Sequence, residues 1–238
     1  MSLRSELARP DSKDPYVRRL FSTIADRYDL ITVLFSYGQD ARWKRRLIAM
    51  AGPLQCRRVL DLACGTGDLA LLASAAGADV TAVDITPRMI ALARAKARTR
   101  GARARFLVAD MAALPLPDAC VDVVTTGYGL RNVPDLDAAL REIHRVLKPG
   151  GRLLSLDFNR PSSRPLRAAY HVYLTVVGGA VGWVLHRDPD TYRYIPESIR
   201  LYPGAEAVAD RLRRTGFGRV GWHPVLGGLL AIHDANRP

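Results

Sequence analysis

Two glycines and two carboxylates lie close together early in the chain, within the stretch VLDLACGTGDL at residues 59–69. An apolar run ends at Asp61, and a turn containing Gly65 and Gly67 leads directly to Asp68. The letters GTGDLA fit the pattern G-x-G-x-x-A, which brings a ligand against the backbone where the first strand of an open parallel sheet ends. The sequence therefore predicts a ligand site at this turn, with an acid on each side.

The acids beside the turn indicate which kind of ligand it suits. A pyrophosphate needs unopposed N–H groups at the start of a helix. Two negative charges about 5 Å apart repel by roughly 3 kcal/mol at an effective dielectric constant of 20. Asp61 and Asp68 therefore disfavour NAD, and with it an oxidoreductase. The same charges favour a cation, so we predict S-adenosylmethionine, which carries an ammonium and a sulfonium group.

Acids also close the next two apolar stretches. Asp84 ends the second stretch, where a carboxylate can accept hydrogen bonds from both hydroxyls of a ribose. Asp110 ends the third, where a carboxylate can accept from an adenine amino group, and Met111 beside it can pack on the ring. Because the carboxyl ends of parallel strands meet at one edge of a sheet, we expect these residues to share one site.

The turn lies within a series of alternating strand and helix patterns. Five apolar stretches, RRVLDLA, ADVTAVD, RARFLVAD, CVDVVTTGY and RLLSLDF, are separated by helical patterns. Such strands predict a parallel sheet with both faces covered. Two more strands surround a Pro/Gly turn near the end, in GRVGWHPVLGGLLAIHD. We predict an α/β, Rossmann-like fold with a mostly parallel seven-stranded sheet, an antiparallel C-terminal hairpin, an N-terminal helical cap and a helical lid insertion.

We predict one domain overall, made of four consecutive parts. Within the first part, residues 1–14 are expected to be a frayed tail and Asp40 to cap a second helix. The four parts are a tail and helical cap at 1–52, a cofactor-binding core at 53–160, a lid and substrate insertion at 161–203, and a helix with strands that complete the sheet at 204–238.

Residues 168–185, AAYHVYLTVVGGAVGWVL, are apolar over about the length of a membrane span. Three glycines weaken a helix here, which favours a lid over an apolar substrate rather than a transmembrane helix. A second layer of the protein core is the structural alternative. A lid of this kind would suit a polyprenyl chain, and the positive charge of the protein would favour contact with anionic lipid.

The composition fits a single cytoplasmic enzyme domain. The chain has 238 residues, is 48% hydrophobic and has three cysteines without metal-ligand spacing, so we expect a reducing compartment and no metal. The net charge of +12 comes mainly from scattered arginines, which is typical of solvated helix faces, and no nucleic-acid partner is expected. A catalytically inactive binding module drawn to RNA is the alternative from a different functional class.

Several separated stretches give the sequence a resemblance to class I S-adenosylmethionine-dependent methyltransferases. GLRNV and YRYIPESIR resemble, more narrowly, the quinone-ring C-methyltransferases of menaquinone and ubiquinone biosynthesis. The resemblance covers about Val17 to Pro238 and implies C-methylation of a prenylated hydroquinone, with demethylmenaquinol as the expected substrate. Because Gly127 replaces a family serine and the C-terminal tail is altered, 2-polyprenyl-methoxybenzoquinol, a secondary metabolite or a sterol remain alternative substrates.

By position, the resemblance implies cofactor contacts at Thr66, Asp84, Asp110 and Met111, and it places Gly127 where a serine hydroxyl is usual. Thr126 is an alternative source of that hydroxyl. Together with the turn and the strand ends, the predicted cofactor-binding residues are Asp61, Gly65, Thr66, Gly67, Asp84, Ile85, Asp110, Met111 and Gly127.

The implied reaction needs a phenolate to be stabilised and a ring proton to be removed. A phenol titrates near ~10, so a cation beside its oxygen would matter. Arg131, which follows the fourth strand, is the candidate for this role, and its alternative is a structural salt bridge with Asp135 or Asp137.

Other candidate catalytic residues lie in the cap and the lid. Tyr28 could cover the cofactor or relay a proton, or else pack as a structural aromatic. His171 or His233 could act as the general base. We expect an enzyme of the cytoplasm that makes peripheral contact with the inner face of the cell membrane, where a prenylated substrate resides.

Overall fold

The computed structural model describes residues 3, 7, 9–161, 163–188 and 191–238. Its centre is one seven-stranded sheet with the strand order β3-β2-β1-β4-β5-β7-β6. Strands β1 to β5 pair in parallel, and β7 runs antiparallel to both β5 and β6. The predicted fold is thereby confirmed. The strands are β1 Arg58–Leu62, β2 Asp79–Asp84, β3 Ala104–Val108, β4 Val121–Gly127, β5 Leu147–Phe158, β6 Gly218–Val225 and β7 Leu230–Asn236.

Helices cover both faces of this sheet and form a cap and a lid beside it. Two short 3-10 helices, Ala25–Arg27 and Leu226–Gly228, join longer elements. The helices are α1 Pro10–Ile24, α2 Tyr28–Phe35, α3 Asp40–Met50, α4 Asp68–Ala75, α5 Pro87–Thr99, α6 Leu136–Val146, α7 Arg164–His186, α8 Tyr194–Leu201 and α9 Ala205–Thr215.

The central strands are apolar because neither of their faces meets water. Leu60 and Leu62 of β1 and Val124 of β4 are wholly buried between the two helical layers. The strand order reverses between β1 and β4, since β2 and β3 continue to one side of β1 and β5 lies on the other side of β4. A crevice opens at the carboxyl end of such a reversal, and open α/β sheets bind their ligands there.

The helical cap begins earlier than the sequence predicts. Helix α1 starts at Pro10, so residues 10–14, predicted to be frayed, are helical, while most of residues 1–8 lie outside the described part of the chain. Lys13 on this helix donates hydrogen bonds to the carbonyl oxygens of Arg131 (3.1 Å) and Val133 (2.6 Å). Burial, and then the charge of Arg131, lowers the pKa of Lys13 to about 8. The cap is therefore tied to the loop that follows β4.

Two further local predictions are wrong. Asp40 does not cap α3, because it is the first helical residue and its carboxylate binds the side chains of Lys44 and Tyr128. The fifth apolar stretch, RLLSLDF at 152–158, covers only part of its strand, since β5 begins at Leu147 and includes residues 149–151. Gly150 has a φ of +78° there, and the register with β4 shifts between Val121 and Val123.

The insertion at 161–203 contains α7 and α8. Helix α7 is long and apolar enough to cross a membrane by length and composition, yet it packs along the domain with 22% of its most apolar window buried. Its inward residues recur every four positions, as expected for one side of a helix: Tyr170, Leu174, Gly178 and Gly182. Tyr170 and Leu174 join a cluster with residues of α2 and α8, so the lid and the cap share one small core.

Candidate active site

A cavity of about 660 Å³ opens where β1, β2, β3 and β4 end. We call it the strand-end cavity. Seven of the twelve residues predicted to form the active site line it: Tyr28, Gly65, Asp84, Ile85, Asp110, Met111 and Gly127.

The glycine turn is held against the end of β2. The carboxylate of Asp84 accepts hydrogen bonds from the N–H groups of Gly65 (2.9 Å) and Thr86 (2.8 Å). Gly65 has a φ of +53°, and a Cβ atom on it would lie 3.4 Å from the Tyr28 ring. The turn therefore packs closely under the cap, and its conformation favours glycine.

Gly67 packs closely against its neighbours, and its predicted contact with the cofactor stays a prediction. It has a φ of +89°, and a Cβ atom there would come within 3.2 Å of the Phe106 ring and 3.3 Å of the Ala93 methyl. The residue is not among those that line the strand-end cavity. Its lack of a side chain lets the start of α4 approach β3 and α5, which is a packing role.

Asp84 and Asp110 provide carboxylates to the wall of the cavity. Burial raises the pKa of Asp84, and the two backbone donors oppose this rise. The side chain of Thr86 also donates to it, so about one acceptor position remains, because a carboxylate can accept about four hydrogen bonds. Asp110 accepts one bond from the N–H of Ala112 at 2.8 Å. Both acids therefore retain the capacity to bind the hydroxyl and amino groups of a nucleoside.

The acids closest to the turn are not free to attract a cation. Asp61 is wholly buried and accepts hydrogen bonds from the N–H of Ala70 (3.0 Å) and the hydroxyl of Thr125 (2.8 Å). Burial raises its pKa to about 7. Asp68 forms ion pairs of 2.9 Å with both Lys44 and Lys96. The charge argument made from the sequence at this turn is therefore wrong, because these lysines compensate Asp68 and burial favours the neutral form of Asp61.

Lys44 and Lys96 connect the helical cap to the turn. Although burial alone would raise the pKa of Asp68, the two lysines lower it to about 2. Lys44 also forms an ion pair with Asp40 at 2.5 Å. The other carboxylate oxygen of Asp40 accepts a hydrogen bond from the hydroxyl of Tyr128 at 2.9 Å. The network therefore spans α3, α4, α5 and the loop after β4.

Thr66 belongs to the same network. Its hydroxyl donates to Asp29 of the cap at 2.5 Å and accepts from Lys96 at 3.0 Å. Asp61 and Thr66 line a smaller cavity of about 300 Å³, next to the strand-end cavity, whose wall also includes Tyr28 and Gly127. A direct contact of Asp61 or Thr66 with the cofactor stays a prediction.

A second cavity, of about 710 Å³, lies between the cap and the lid. We call it the apolar cavity, since its wall is mainly aliphatic and aromatic and includes Ile24, Ile31, Phe35 and Tyr192. It shares four residues with the strand-end cavity: Phe21, Tyr28, Tyr128 and Asn132. The two cavities therefore meet, and a ligand in one can contact a ligand in the other.

Arg131 lines the apolar cavity near this meeting point. It is 5% exposed, and its Nε lies 3.5 Å from a carboxylate oxygen of Asp157, while its guanidinium also donates to the hydroxyl of Ser198. The guanidinium carbon stands 5.0 Å from the ring centre of Phe158 and 5.6 Å from that of Tyr194. The buried guanidinium thus lies among aromatic rings, which favour a cation near their faces.

The salt-bridge partners named from the sequence for Arg131 are wrong. Asp135 caps α6 by accepting the N–H of Ala138 at 3.0 Å. Asp137 pairs with Arg211 at 2.6 Å. The partner is Asp157, which lies near the end of β5 beside the end of β4 and accepts the backbone N–H of Arg131 at 3.0 Å.

Tyr28 lies where the two cavities meet, whereas neither predicted histidine does. Burial raises the pKa of Tyr28 to about 12, so its hydroxyl stays protonated near neutral pH. His171 on α7 has its Nε2 3.3 Å from a guanidinium nitrogen of Arg200 and lines neither cavity. His233 is 1% exposed on β7 and its Nε2 lies 2.9 Å from the carbonyl oxygen of Ala205. The structure therefore gives neither histidine the place of a general base.

Tyr128 and Asn132 were not predicted as site residues. Tyr128 has a φ of +61°, and its carbonyl accepts the side-chain amide of Asn132 at 2.9 Å. The amide oxygen of Asn132 accepts a hydrogen bond from the hydroxyl of Tyr194 at 2.7 Å. The sequence contains no local signal for a positive φ at a tyrosine, but Asn132 lies in the GLRNV stretch used for the family resemblance and Tyr128 directly precedes it.

The end of β4 contributes backbone rather than a hydroxyl to the strand-end cavity. Gly127 lines this cavity, and a Cβ atom on it would lie 3.2 Å from a methyl group of Leu69. Thr126, the alternative source of a hydroxyl, is wholly buried, and its oxygen has no hydrogen-bond partner among the described residues. Asp84, Asp110, Met111 and this open backbone fit the ribose, adenine and chain of S-adenosylmethionine.

Solved structures with the same fold include methyltransferases. The structure aligns over 95% of its length with magnesium protoporphyrin IX methyltransferase from Synechocystis PCC 6803 with bound SAH, at a TM-score of 0.66 and 21% identity, covering 100% of that chain. It aligns over 93% of its length with a possible histamine N-methyltransferase from Thermotoga maritima, at a TM-score of 0.66 and 18% identity, again covering 100% of that chain. These similarities establish the fold.

Curated relatives are similar in sequence over nearly their whole length. The chain is 44% identical over 221 residues to demethylmenaquinone methyltransferase of Thermus thermophilus, covering 92% of this chain and 100% of the relative. It is 41% identical over 226 residues to the ubiquinone/menaquinone biosynthesis C-methyltransferase UbiE of Rubrivivax gelatinosus, covering 94% and 88%. The sequence profile of the ubiE/COQ5 methyltransferase family matches residues 9–237. The chain therefore belongs to the ubiE/COQ5 methyltransferase family and is an S-adenosylmethionine-dependent methyltransferase.

Proposed function

We propose that this enzyme methylates a ring carbon of a prenylated hydroquinone, with demethylmenaquinol as the substrate and menaquinol as the product. One observation carries the proposal: a cavity with nucleoside-binding carboxylates meets an apolar cavity at Tyr28, Tyr128 and Asn132. A methyl donor in the first cavity and a hydroquinone ring in the second would be in contact there. The names of the relatives, demethylmenaquinone methyltransferase among them, support this choice of substrate.

The strand ends would position the methyl donor. Asp84 would accept hydrogen bonds from the ribose hydroxyls, and Asp110 would accept one from the adenine amino group. Met111, 8% exposed, and Ile85 would pack on the adenine ring. When bound, S-adenosylmethionine supplies an electrophilic methyl group on a sulfonium centre. The protein supplies alignment, which can contribute several kcal/mol to the rate of a two-substrate reaction.

Arg131 would stabilise the ionised hydroquinone. Loss of one hydroxyl proton directs electron density to the neighbouring ring carbon, which forms the new carbon–carbon bond as the sulfur–methyl bond breaks. The ring then loses its proton and recovers aromaticity. A buried guanidinium would interact more strongly with phenolate charge than one in bulk water, because the local dielectric constant is lower. The protonated hydroxyl of Tyr28 is placed to donate a hydrogen bond at the junction of the cavities.

The enzyme would work in the cytoplasm, at the inner face of the cell membrane. The sheet is covered by helices on both faces, as in water-soluble α/β enzymes, which agrees with the predicted cytoplasmic location. A prenylated hydroquinone is soluble in lipid rather than water. A peripheral enzyme that contacts the bilayer would therefore reach this substrate most directly.

The test is a methyl-transfer assay with purified protein, labelled S-adenosylmethionine and a panel of reduced quinones. The panel holds demethylmenaquinol, 2-polyprenyl-methoxybenzoquinol and a sterol, with prenyl chains of one, two and eight units. We expect label on the ring carbon of demethylmenaquinol with the highest kcat/KM. Labelling of the sterol alone, or unchanged methylated menaquinone in a strain from which the gene is deleted, would reject demethylmenaquinol as the substrate.

A further inference from the structure

Helix α7 presents an apolar side to solvent along its whole length. Val172 (60% exposed), Val176 (65%), Trp183 (66%) and Val184 (70%) recur at helical spacing on the side opposite the buried residues. Exposed side chains of this size are ordinary when single, but a row of them on one helix is unusual for a protein in water. The row therefore marks a surface that contacts something apolar.

Helix α2 extends this surface. Leu30 (51% exposed), Val33 (52%) and Leu34 (44%) point outward from it, and Tyr37 (54%) follows at its end. The ring of Tyr37 stacks on that of Tyr173 of α7, with 5.5 Å between the ring centres, so the two exposed rows belong to one surface. We call it the apolar face, defined by Leu30, Val33, Leu34, Tyr37, Val172, Val176, Trp183 and Val184.

The charged residues on α7 and at its ends are positive, which suits contact with an anionic surface. Helix α7, described in full, contains no aspartate or glutamate. Arg164 lies at its first turn and Arg187 directly after its last, and both are exposed. An apolar band between arginines is the pattern of a helix that lies in the interface of a membrane with acidic headgroups. The overall charge of +12 acts in the same direction.

The apolar cavity lies directly beneath the apolar face. Ile31 and Phe35 of α2 line the cavity, while Leu30, Val33 and Leu34 of the same helix are exposed on the face. A single helix therefore separates the cavity from the surface. A lipid chain that enters beside α2 would pass from one apolar environment to the other without crossing water.

We propose that the apolar face inserts into one leaflet of an anionic phospholipid bilayer, with α7 parallel to the membrane plane. The bilayer would then deliver the prenyl chain beside α2 to the apolar cavity, a part of the inference that rests on the proposed function. Trp183 lies at the depth of the headgroups and upper acyl chains, where indole rings are favoured.

The buried side of α7 distinguishes insertion in the plane from a transmembrane arrangement. Tyr170 and Leu174 are buried in the core shared with the cap. A Cβ atom on Gly178 would lie 3.4 Å from the Cβ of Tyr192, so the helix backbone lies close against the loop before α8. A spanning helix would have to leave all of these contacts with the cap and with the loop before α8. The helix therefore stays on the domain and contacts lipid along its other side.

Vesicle flotation of the full-length protein tests the inference. The probes are vesicles of phosphatidylglycerol mixed with phosphatidylcholine, and vesicles of phosphatidylcholine alone. We expect binding to the anionic vesicles that weakens with salt, and at least tenfold weaker binding of a Val176→Asn, Val184→Asn variant. The matched control is Leu107→Asn with Trp222→Asn, which removes two exposed apolar side chains outside the apolar face (39% and 37% exposed) and should bind like wild type.

Fluorescence locates the contact. In a Trp222→Phe background the remaining tryptophans are Trp43, which is 6% exposed, and Trp183. We expect the emission of Trp183 to shift to shorter wavelength on anionic vesicles and to be quenched by brominated lipid. Equal vesicle binding by wild type and the valine variant would overturn the proposal. So would absence of wild-type binding, or membrane-bound protein that resists extraction by carbonate.

A substrate series separates this inference from the proposed function. Against a hydroquinone with one prenyl unit in vesicle-free buffer, the valine variant should keep wild-type turnover, because the apolar face touches no reacting atom. Against a hydroquinone with eight units in vesicles, its kcat/KM should fall at least tenfold. Failure to methylate any quinol would reject the proposed function while the vesicle assay still decides the inference. Normal methylation with no vesicle binding would reject the inference alone.

Discussion

Lys44 of α3 and Asp68 of α4 form an ion pair of 2.9 Å between the helical cap and the glycine turn. Lys44 is 7% exposed, and it pairs at the same time with Asp40, which is 6% exposed. The lysine therefore neutralises one acid of the cap and one acid of the turn. Removing it would leave the buried carboxylate of Asp40 without its lysine, and the hydrogen bond from the Tyr128 hydroxyl does not supply the missing positive charge.

We expect Lys44→Met to destabilise the protein strongly. Breaking a buried ion pair by removing one partner costs about 3–5 kcal/mol, because the remaining charge is uncompensated. The control is Lys148→Met, which removes a 2.8 Å pair with Asp122 whose lysine is 37% exposed and should cost less than about 1 kcal/mol. Urea denaturation measures both free energies of unfolding. Equal losses in the two variants would mean that Lys44 is no more than a surface partner.

Replacing Asp84 should weaken binding of S-adenosylmethionine. A hydrogen bond to a charged group contributes about 1.5–3 kcal/mol, so losing the predicted ribose contacts of Asp84 should raise Kd about tenfold or more. Asp84→Asn is the variant of choice, since its amide oxygen can still accept one of the N–H bonds from Gly65 and Thr86. Asp122→Asn, at the opposite end of β4, is the control. Calorimetry that gives the same Kd for wild type and Asp84→Asn would remove the ribose role.

The pair formed by Arg131 and Asp157 allows catalysis to be separated from stability. Arg131→Ala alone leaves Asp157, which is 1% exposed, buried and unpaired, and should cost about 3–5 kcal/mol in stability. Adding Asp157→Asn should restore most of that stability. Turnover should stay at least about a hundredfold below wild type in the double variant, because the phenolate still lacks its cation.

Two measurements check this prediction on the same samples. Thermal denaturation follows the recovery of stability, and kcat with a saturating short-chain hydroquinol follows catalysis. Turnover that recovers together with stability in the double variant would make Arg131 a structural residue rather than a catalytic one.

Asp61 should make the free energy of unfolding depend on pH. Burial raises its pKa to about 7 in the folded protein, above the value of about 4 of an unfolded chain. The folded state therefore holds this proton more tightly. The stability that results is complete below about pH 4 and is lost as the pH rises through 7. At about 1.4 kcal/mol per pH unit, the contribution of Asp61 falls by up to about 4 kcal/mol over this range.

The comparison with Asp61→Asn isolates this effect from other titrating groups, such as buried His233, whose lowered pKa acts with the opposite sign. Urea denaturation between pH 4 and 7 should show that wild type loses stability relative to the variant as the pH rises. A difference between the two proteins that does not change with pH would show that Asp61 is ionised throughout this range.

Much of the fold could be predicted because its signals are local. Apolar strands, helix patterns and strand-end acids each occupy a few consecutive residues, and the topology of an open parallel sheet then brings Asp84 and Asp110 to one edge. The partners of Asp68 had no such signal. Lys44 and Lys96 lie 24 and 28 residues from it, and their approach depends on how the cap folds over the turn.

The partner of Arg131 was missed for a related reason. Asp135 and Asp137 are near it in sequence, whereas Asp157 is 26 residues away and adjacent only because β5 pairs with β4. Acids that close neighbouring strands were used to predict the cofactor site, and the same rule applied to β5 would have suggested Asp157. The cavity between cap and lid depends on packing between distant helices, so it has no pattern in the sequence.

Helix α2 has only eight residues, yet its first residue, Tyr28, lies at the junction of both cavities, and its fourth and eighth residues, Ile31 and Phe35, line the apolar cavity. A displacement of this short helix would change the shapes of the strand-end cavity and the apolar cavity at once. We therefore expect binding of the hydroquinone and release of the demethylated cofactor to be coupled through the two turns of α2.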